Sequence, residues 1–150
     1  MKHVQRSVLL WHSARAMYDL VAGVEHYPTF LPWCSAADIL ERDATTMKAR
    51  LHLHYGGLKH NFTTLNRMEP GRLLTMELVD GPFSMLDGRW DFTPLGKSRT
   101  PKGSKVEFDM RYSFRNPALE AVVSPVFDRI AETFVDAFVK RAEVVYGGGT

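Results

Sequence analysis

A few residues have the types and spacing for chemistry. His52 and His54 stand two apart in a run of alternating residues, which puts both imidazoles on one face of a strand. Zinc would need a third and usually a fourth donor. The same face presents Lys48 and Arg50, which repel a cation, so a solvated outer face is expected and no metal site. His60 falls on the apolar parity with Leu58 and Phe62. A polar group there must find a partner, either within the core or on the carbonyl of a bound molecule. Cys34 is the single cysteine. Nothing near it in sequence would activate it, and aromatic surroundings raise a thiol pKa, so it is not expected to be a nucleophile. Asp87, Asp91, Glu107 and Asp109 share a strand face with Arg89 and Arg111, an arrangement that cross-strand ion pairs explain. No Ser-His-Asp arrangement, phosphate-binding glycine loop or paired carboxylate site is readable. An acid/base enzyme would have to rely on His60 and Tyr112, the inward-facing candidates.

Two apolar segments are more unusual. Residues 27–34 read Tyr-Pro-Thr-Phe-Leu-Pro-Trp-Cys, with three aromatics, a leucine and two prolines in eight residues. Prolines lower the entropy cost of presenting apolar side chains. The segment is either a plug for one end of the core or a gate at a cavity mouth that could touch a membrane. In residues 80–90, Gly81-Pro82 makes a rigid bend before Phe83. Phe83 and Leu86 then either join the core or stand beside the same cavity.

These segments must be held by elements that the hydrophobic period reveals. Residues 3–11 read as a first strand. Ser13 is a plausible N-cap for a short amphipathic helix over 14–23, carrying Met17, Leu20 and Val21 and ending near Gly23. Residues 25–32 form at most a second short helix or turn. From 35 to 114 the period is two, interrupted by Gly56-Gly57, Pro70-Gly71 and Asp80-Gly81-Pro82, which predicts six more strands. The last strand alternates Val106, Phe108, Met110, Tyr112 and Phe114 against Lys105, Glu107, Asp109, Arg111 and Ser113. Such strands form an antiparallel sheet with one wet and one apolar face, and the apolar face needs a cover. A helical stripe of Leu119, Val122, Val123, Val126, Phe127, Ile130, Phe134, Phe138, Ala142 and Val145 supplies it over 117–146. Asn116 or Ser124 could cap that helix, and Pro125 is expected to kink or divide it. A curved sheet gripping one long helix tends to leave an interior cavity.

Bulk properties narrow the class. With 150 residues the chain suits one domain, taken as 1–146 with a flexible glycine tail at 147–150. The net charge is +2 with both signs interspersed, which argues against a DNA binder. One cysteine fits a reducing compartment, and no apolar run approaches a membrane span. The loop 96–103 is basic, suited to acidic lipid head groups or ribosomal RNA if it binds anything.

The strings VEHYPTFLPWCS and VDGPFSMLDGRW, followed by VFDRIAETFVDAFVKRAEVVYG, resemble the coenzyme Q-binding and ribosome-association-toxin family of START-like proteins. The resemblance runs from about residue 3 to residue 147. It implies an α+β helix-grip fold: a curved seven-stranded antiparallel sheet around a long C-terminal helix, with two short helices after the first strand. It also implies an apolar tunnel and a non-catalytic role in binding ubiquinone or a similar isoprenoid lipid in support of respiratory electron transport, with no required cofactor. Tyr27, Phe30, Leu31, Pro32 and Trp33 correspond to the family's aromatic–proline loop, and Phe83 and Trp90 to its Gly-Pro-Phe and tryptophan positions. The ligand-binding set expected on both grounds adds His60, Phe62, Leu86, Phe108, Tyr112, Phe127, Phe134 and Phe138. Expected partners are a quinone or lipid, a membrane surface and the ribosome; the expected location is the cytoplasm of a bacterium, peripheral to the inner membrane when lipid is exchanged. Two alternatives remain: a ribosome-binding inhibitor of subunit joining, acting through a basic surface around Lys48, Arg50, Lys59 and the 97–102 loop, and a polyketide cyclase or dehydratase.

Overall fold

In the computed structural model, which describes residues 1–96 and 103–147, strand β1 (Lys2–Leu10) leads into helix α1 (Ala14–Ala22). The Ser13 hydroxyl accepts from the Ala16 N–H at 3.1 Å and satisfies one of the free donors of the first turn. Gly23 ends the helix with an ordinary negative φ of −79°, its N–H donating to the Asp19 carbonyl, so no left-handed residue is needed there. A 3-10 turn (Val24–His26) and a single turn of helix α2 (Tyr27–Phe30) follow.

Six strands come next: β2 (Cys34–Arg42), β3 (Thr46–Tyr55), β4 (Leu58–Glu69), β5 (Leu73–Asp80), β6 (Phe83–Leu95) and β7 (Gly103–Phe114). They form one antiparallel seven-stranded sheet in the order β1-β7-β6-β5-β4-β3-β2. β1 joins β7, so the first and last strands are neighbours and β2 is left at the far edge. Register shifts interrupt pairing at Cys34/Ala36 and Ile39/Glu41 in β2, at Thr63/Thr64 in β4 and at Phe83/Met85 in β6. Bulges of this kind bend strands and increase twist, which lets the sheet curve around a helix. Gly81 serves the β5–β6 turn with φ +152°; a Cβ there would lie 2.7 Å from Phe62 Cβ.

Helix α3 (Pro117–Tyr146) lies in the curve, thirty residues or about 45 Å long. Asn116 caps it, its side-chain oxygen accepting from the Leu119 N–H at 2.9 Å, with Pro117 at the first position. Ser124 is interior and donates to Asp128. The expectation that Pro125 divides the helix fails. Pro125 sits on the exposed face, and the carbonyl it leaves without an i+4 donor belongs to exposed Ala121, where water can satisfy it. The covering stripe is also shifted from the one the sequence suggested: Val122 and Val145 are exposed, while Ala131 and Val135 are buried. Lys97–Lys102 of the basic loop and residues 148–150 of the tail lie outside the described residues.

Candidate functional site: an aromatic-walled cavity under the long helix

The inward rows of the sheet and the covering helix do not meet everywhere. α3 approaches α1, β7 and β1 most closely and stands further off β3–β5. Aromatic contacts hold it there. Phe127 meets Phe62 edge-on at 5.9 Å, and Phe134 meets Tyr27 at 6.3 Å and Trp33 at 6.1 Å. Each such pair is worth about 0.5–1.5 kcal/mol beyond the area it buries. Ala49 on β3 and Ala131 on α3 are too small to fill the gap between these pillars.

The result is an internal cavity of ≈ 40 Å³ walled by Tyr27, Trp33, Phe62, Leu86, Phe127 and Phe134, with Met76 and Met110 among its lining side chains. At Gly88 a Cβ would lie 2.5 Å from Met76 Cε, so the missing side chain on β6 is what lets Met76 lie flat against the sheet. Thr64 and Asn66 of β4 are the polar exceptions in the wall, at 6% and 3% exposure. The Thr64 hydroxyl donates to the Asn66 side-chain oxygen at 2.9 Å. Among the described residues Tyr27 is the only ionisable one of the wall, and its phenol turns away to donate to the Val21 carbonyl. Burial, with Cys34 and Glu25 adding to it, pushes that phenol well above its ordinary range.

Of the expected ligand-binding residues, the structure brings Tyr27, Trp33, Phe62, Leu86, Phe127 and Phe134 to this cavity. Leu31, Phe83, Trp90, Phe108 and Phe138 are core residues behind it, each 3% exposed or less. Phe83 packs on Phe62, Phe127 and Phe114, and Trp90 on Phe92, Phe108, Phe134 and Phe138. The Trp90 indole N–H has no partner among the described residues. Phe30 and exposed Pro32 face outward into a groove against α3, lined also by Ala137, Lys140, Arg141 and Val144. Arg141 lies over the Phe30 ring at 5.2 Å. The aromatic–proline segment is therefore split, with Tyr27, Leu31 and Trp33 turned in and Phe30 and Pro32 at the rim.

Two expectations need correction. His60 keeps its inward parity but sits near the end of the β3–β4 hairpin, where the Trp33 carbonyl accepts from the His54 N–H at 2.9 Å. It lines a surface depression with Ser35, His52, His54 and Lys59, not the cavity. The Tyr112 phenol donates to Asp128 on α3, which also accepts from Ser124 at 2.8 Å and from Lys2 at 3.1 Å. Burial and the Asp128 carboxylate both push Tyr112 up, and its hydroxyl is a clamp between sheet and helix. Sequence reasoning missed Val24, Ala49, Leu51, Thr64, Asn66, Met76, Met110, Ile130 and Ala131 as wall residues. For Asn66 the signal was available, since it shares the parity of Phe62 and Thr64.

The discounted signals stay outside the cavity. Cys34 is buried, and burial raises its thiol to about 11. His52 pairs with Asp38 at 2.7 Å on the outer face, and among the described residues no three His, Cys, Asp or Glu side chains are placed to hold a metal. On the outer face of β6 and β7, Arg89 pairs along its own strand with Asp91 at 2.8 Å, while His3 crosses from β1 to Asp109 at 2.9 Å.

A profile described as polyketide cyclase / dehydrase and lipid transport matches residues 10–139. The chain belongs to this family. Within it, the chain is 43% identical over 145 residues to the ribosome association toxin RatA of Pseudomonas aeruginosa, covering 97% of this chain and 98% of that protein. It is 28% identical to the mitochondrial coenzyme Q-binding protein COQ10 homolog B of Xenopus laevis, covering 94% of this chain and 58% of that one. Among solved structures, the Zhui aromatase/cyclase of Streptomyces sp. R1128 superposes with a TM-score of 0.79 at 17% identity, covering 99% of each chain. The 18 kDa protein CC1736 of Caulobacter crescentus gives 0.73 at 25% identity, covering 99% of this chain and 100% of the other. The helix-grip fold of this START-like family is thus the one adopted here. Among the described residues, no helix is long and apolar enough to cross a membrane.

Proposed function

We propose that this protein binds a hydrophobic molecule of the ubiquinone or isoprenoid-lipid class between α3 and the sheet, without transforming it, and so supports respiratory electron transport as a carrier or chaperone in the bacterial cytoplasm. The observation that carries this reading is the cavity wall: aromatic rings and methionines, one ionisable residue whose hydroxyl turns away, and a single polar pair. A cyclase or dehydratase needs acid/base groups aimed at its substrate; of the two residues the sequence offered for that role, His60 lies outside the cavity and the Tyr112 hydroxyl is bonded to Asp128. The name of the COQ10 relative points the same way. The cavity as it stands is far smaller than the roughly 300–1,000 Å³ of ordinary ligand pockets, so loading requires the wall to yield. Met76 and Met110 are the side chains best able to do so, because an unbranched thioether repacks easily. Titration with decylubiquinone, read by quenching of the wall tryptophan Trp33, tests the proposal. Saturable quenching that Trp33→Phe reduces is expected; the absence of saturation in wild type would refute it.

A second reading concerns the outside of the molecule. On the outer face of β3 and β4, Lys48 and Lys59 form no ion pair among the described residues, and Arg50 donates to Thr63. This cationic strip, together with the names of the RatA relatives, supports ribosome association through the sheet surface. It uses a different face from the cavity, so the two roles are compatible. Cosedimentation with ribosomal subunits should be lost on Lys48→Glu/Lys59→Glu; retention at moderate salt would remove the strip from consideration.

A further inference from the structure

Asn66 is 3% exposed, yet its polar capacity is half used. Its side-chain oxygen accepts from Thr64, while its amide nitrogen donates to no acceptor among the described residues. The nitrogen is not sealed inside the packing as the partnerless Trp90 N–H is, so its open side is the cavity that Asn66 lines. An amide donor facing an apolar cavity is costly unless something accepts its hydrogen bond. Because the Thr64 hydroxyl donates to the amide oxygen, the NH2 group is the end of Asn66 left free. The same cavity is lined by the rings of Phe62, Phe127 and Phe134, suited to the faces of a flat molecule.

From this geometry we infer that the Thr64–Asn66 pair is the polar recognition element of the cavity, and that the ligand is a planar conjugated ketone whose carbonyl oxygen accepts from the Asn66 amide. A quinone head group and an aromatic polyketide share this chemistry. The inference rests on the cavity being a ligand site and adds to it the head group's identity and anchor. The rest of the wall selects for apolar bulk; Asn66 selects for the carbonyl.

The test compares matched probes on the full chain: decylubiquinone against decylbenzene, and a hydroxylated anthraquinone against anthracene, each titrated with wild type, Asn66→Leu and Thr64→Val. Wild type should prefer each ketone over its hydrocarbon. Asn66→Leu should weaken ketone binding by about tenfold or more, the usual consequence of removing a buried hydrogen bond, and leave hydrocarbon binding unchanged or improved. Preference for the alkylated quinone over the anthraquinone assigns the ketone to an isoprenoid source, and the reverse to a polyketide source. Equal loss of ketone and hydrocarbon in Asn66→Leu, or no loss of either, overturns the inference while leaving the cavity reading intact. No binding of any probe to wild type overturns the cavity reading itself, and this inference with it. Urea midpoints establish that the variants are folded. If Asn66→Leu is not, Thr64→Val carries the test, since it frees the amide to rotate. It too should lose ketone preference, and an unchanged preference would overturn the inference.

Discussion

Replacing Tyr112 by Phe should loosen the grip of the sheet on α3 by a calculable amount. Tyr112 is 1% exposed and its phenol donates to Asp128, whose carboxylate also receives Ser124 and Lys2. Hydrogen bonds to a charged acceptor contribute about 1.5–3 kcal/mol. The Asp128 side chain is 28% exposed, so water can replace part of what is lost; a cost of about 1–2 kcal/mol follows. For a chain of this length that lowers Tm by roughly 2–8 °C. The pH dependence is diagnostic. Burial alone would raise Asp128, but hydrogen bonds from Tyr112, Ser124 and Lys2 outweigh it and hold the carboxyl below its ordinary value. A depressed carboxyl contributes stability that is full above its unfolded value, about 3.9, and is lost as pH falls through its folded one. The gap between wild type and Tyr112→Phe should therefore be widest near neutrality and narrow below about pH 4. Urea unfolding across that range measures it. An unchanged midpoint at pH 7, or a gap independent of pH, would refute the clamp.

Gly88→Ala would place a Cβ 2.5 Å from Met76 Cε and push that side chain into the cavity. Because the displaced atom is the flexible end of a thioether, it should cost only about 1 kcal/mol in urea unfolding, yet reduce decylubiquinone affinity more than a remote substitution of equal cost. Asn116→Ala removes the oxygen that caps α3 and should cost about 1 kcal/mol by the same assay. Cys34 is 3% exposed with its thiol raised to about 11, so a thiol reagent at pH 8 should react only after denaturation; rapid labelling of the native protein would contradict the packing.

The strands were legible because one face of each is buried, which enforces period two; the run from Val106 to Phe114 illustrates this, and β6 and β7 pair along its whole length. Pro125 does not divide α3, because a proline's cost depends on which face of the helix it occupies, and that is set by packing. Six of the expected ligand-binding residues reached the cavity. Phe83 and Trp90 did not, since sequence tells that an aromatic points inward but not whether another ring stands between it and the opening. His60 shows the same limit: its parity was right, but the hairpin end it occupies lies past the Trp33 contact. Asn66 was overlooked because a polar residue on an apolar parity reads as an interruption, although such an interruption is where a cavity acquires specificity.

The most direct test of ligand binding is native mass spectrometry of the protein purified from a quinone-producing bacterium, followed by organic extraction of whatever it carries and a parallel incubation with ubiquinone. A stoichiometric quinone or polyisoprenoid adduct, displaced by decylubiquinone, is the predicted result. A protein that carries no such molecule and takes up none when offered would contradict the account and leave the cationic outer face of the sheet as its working surface.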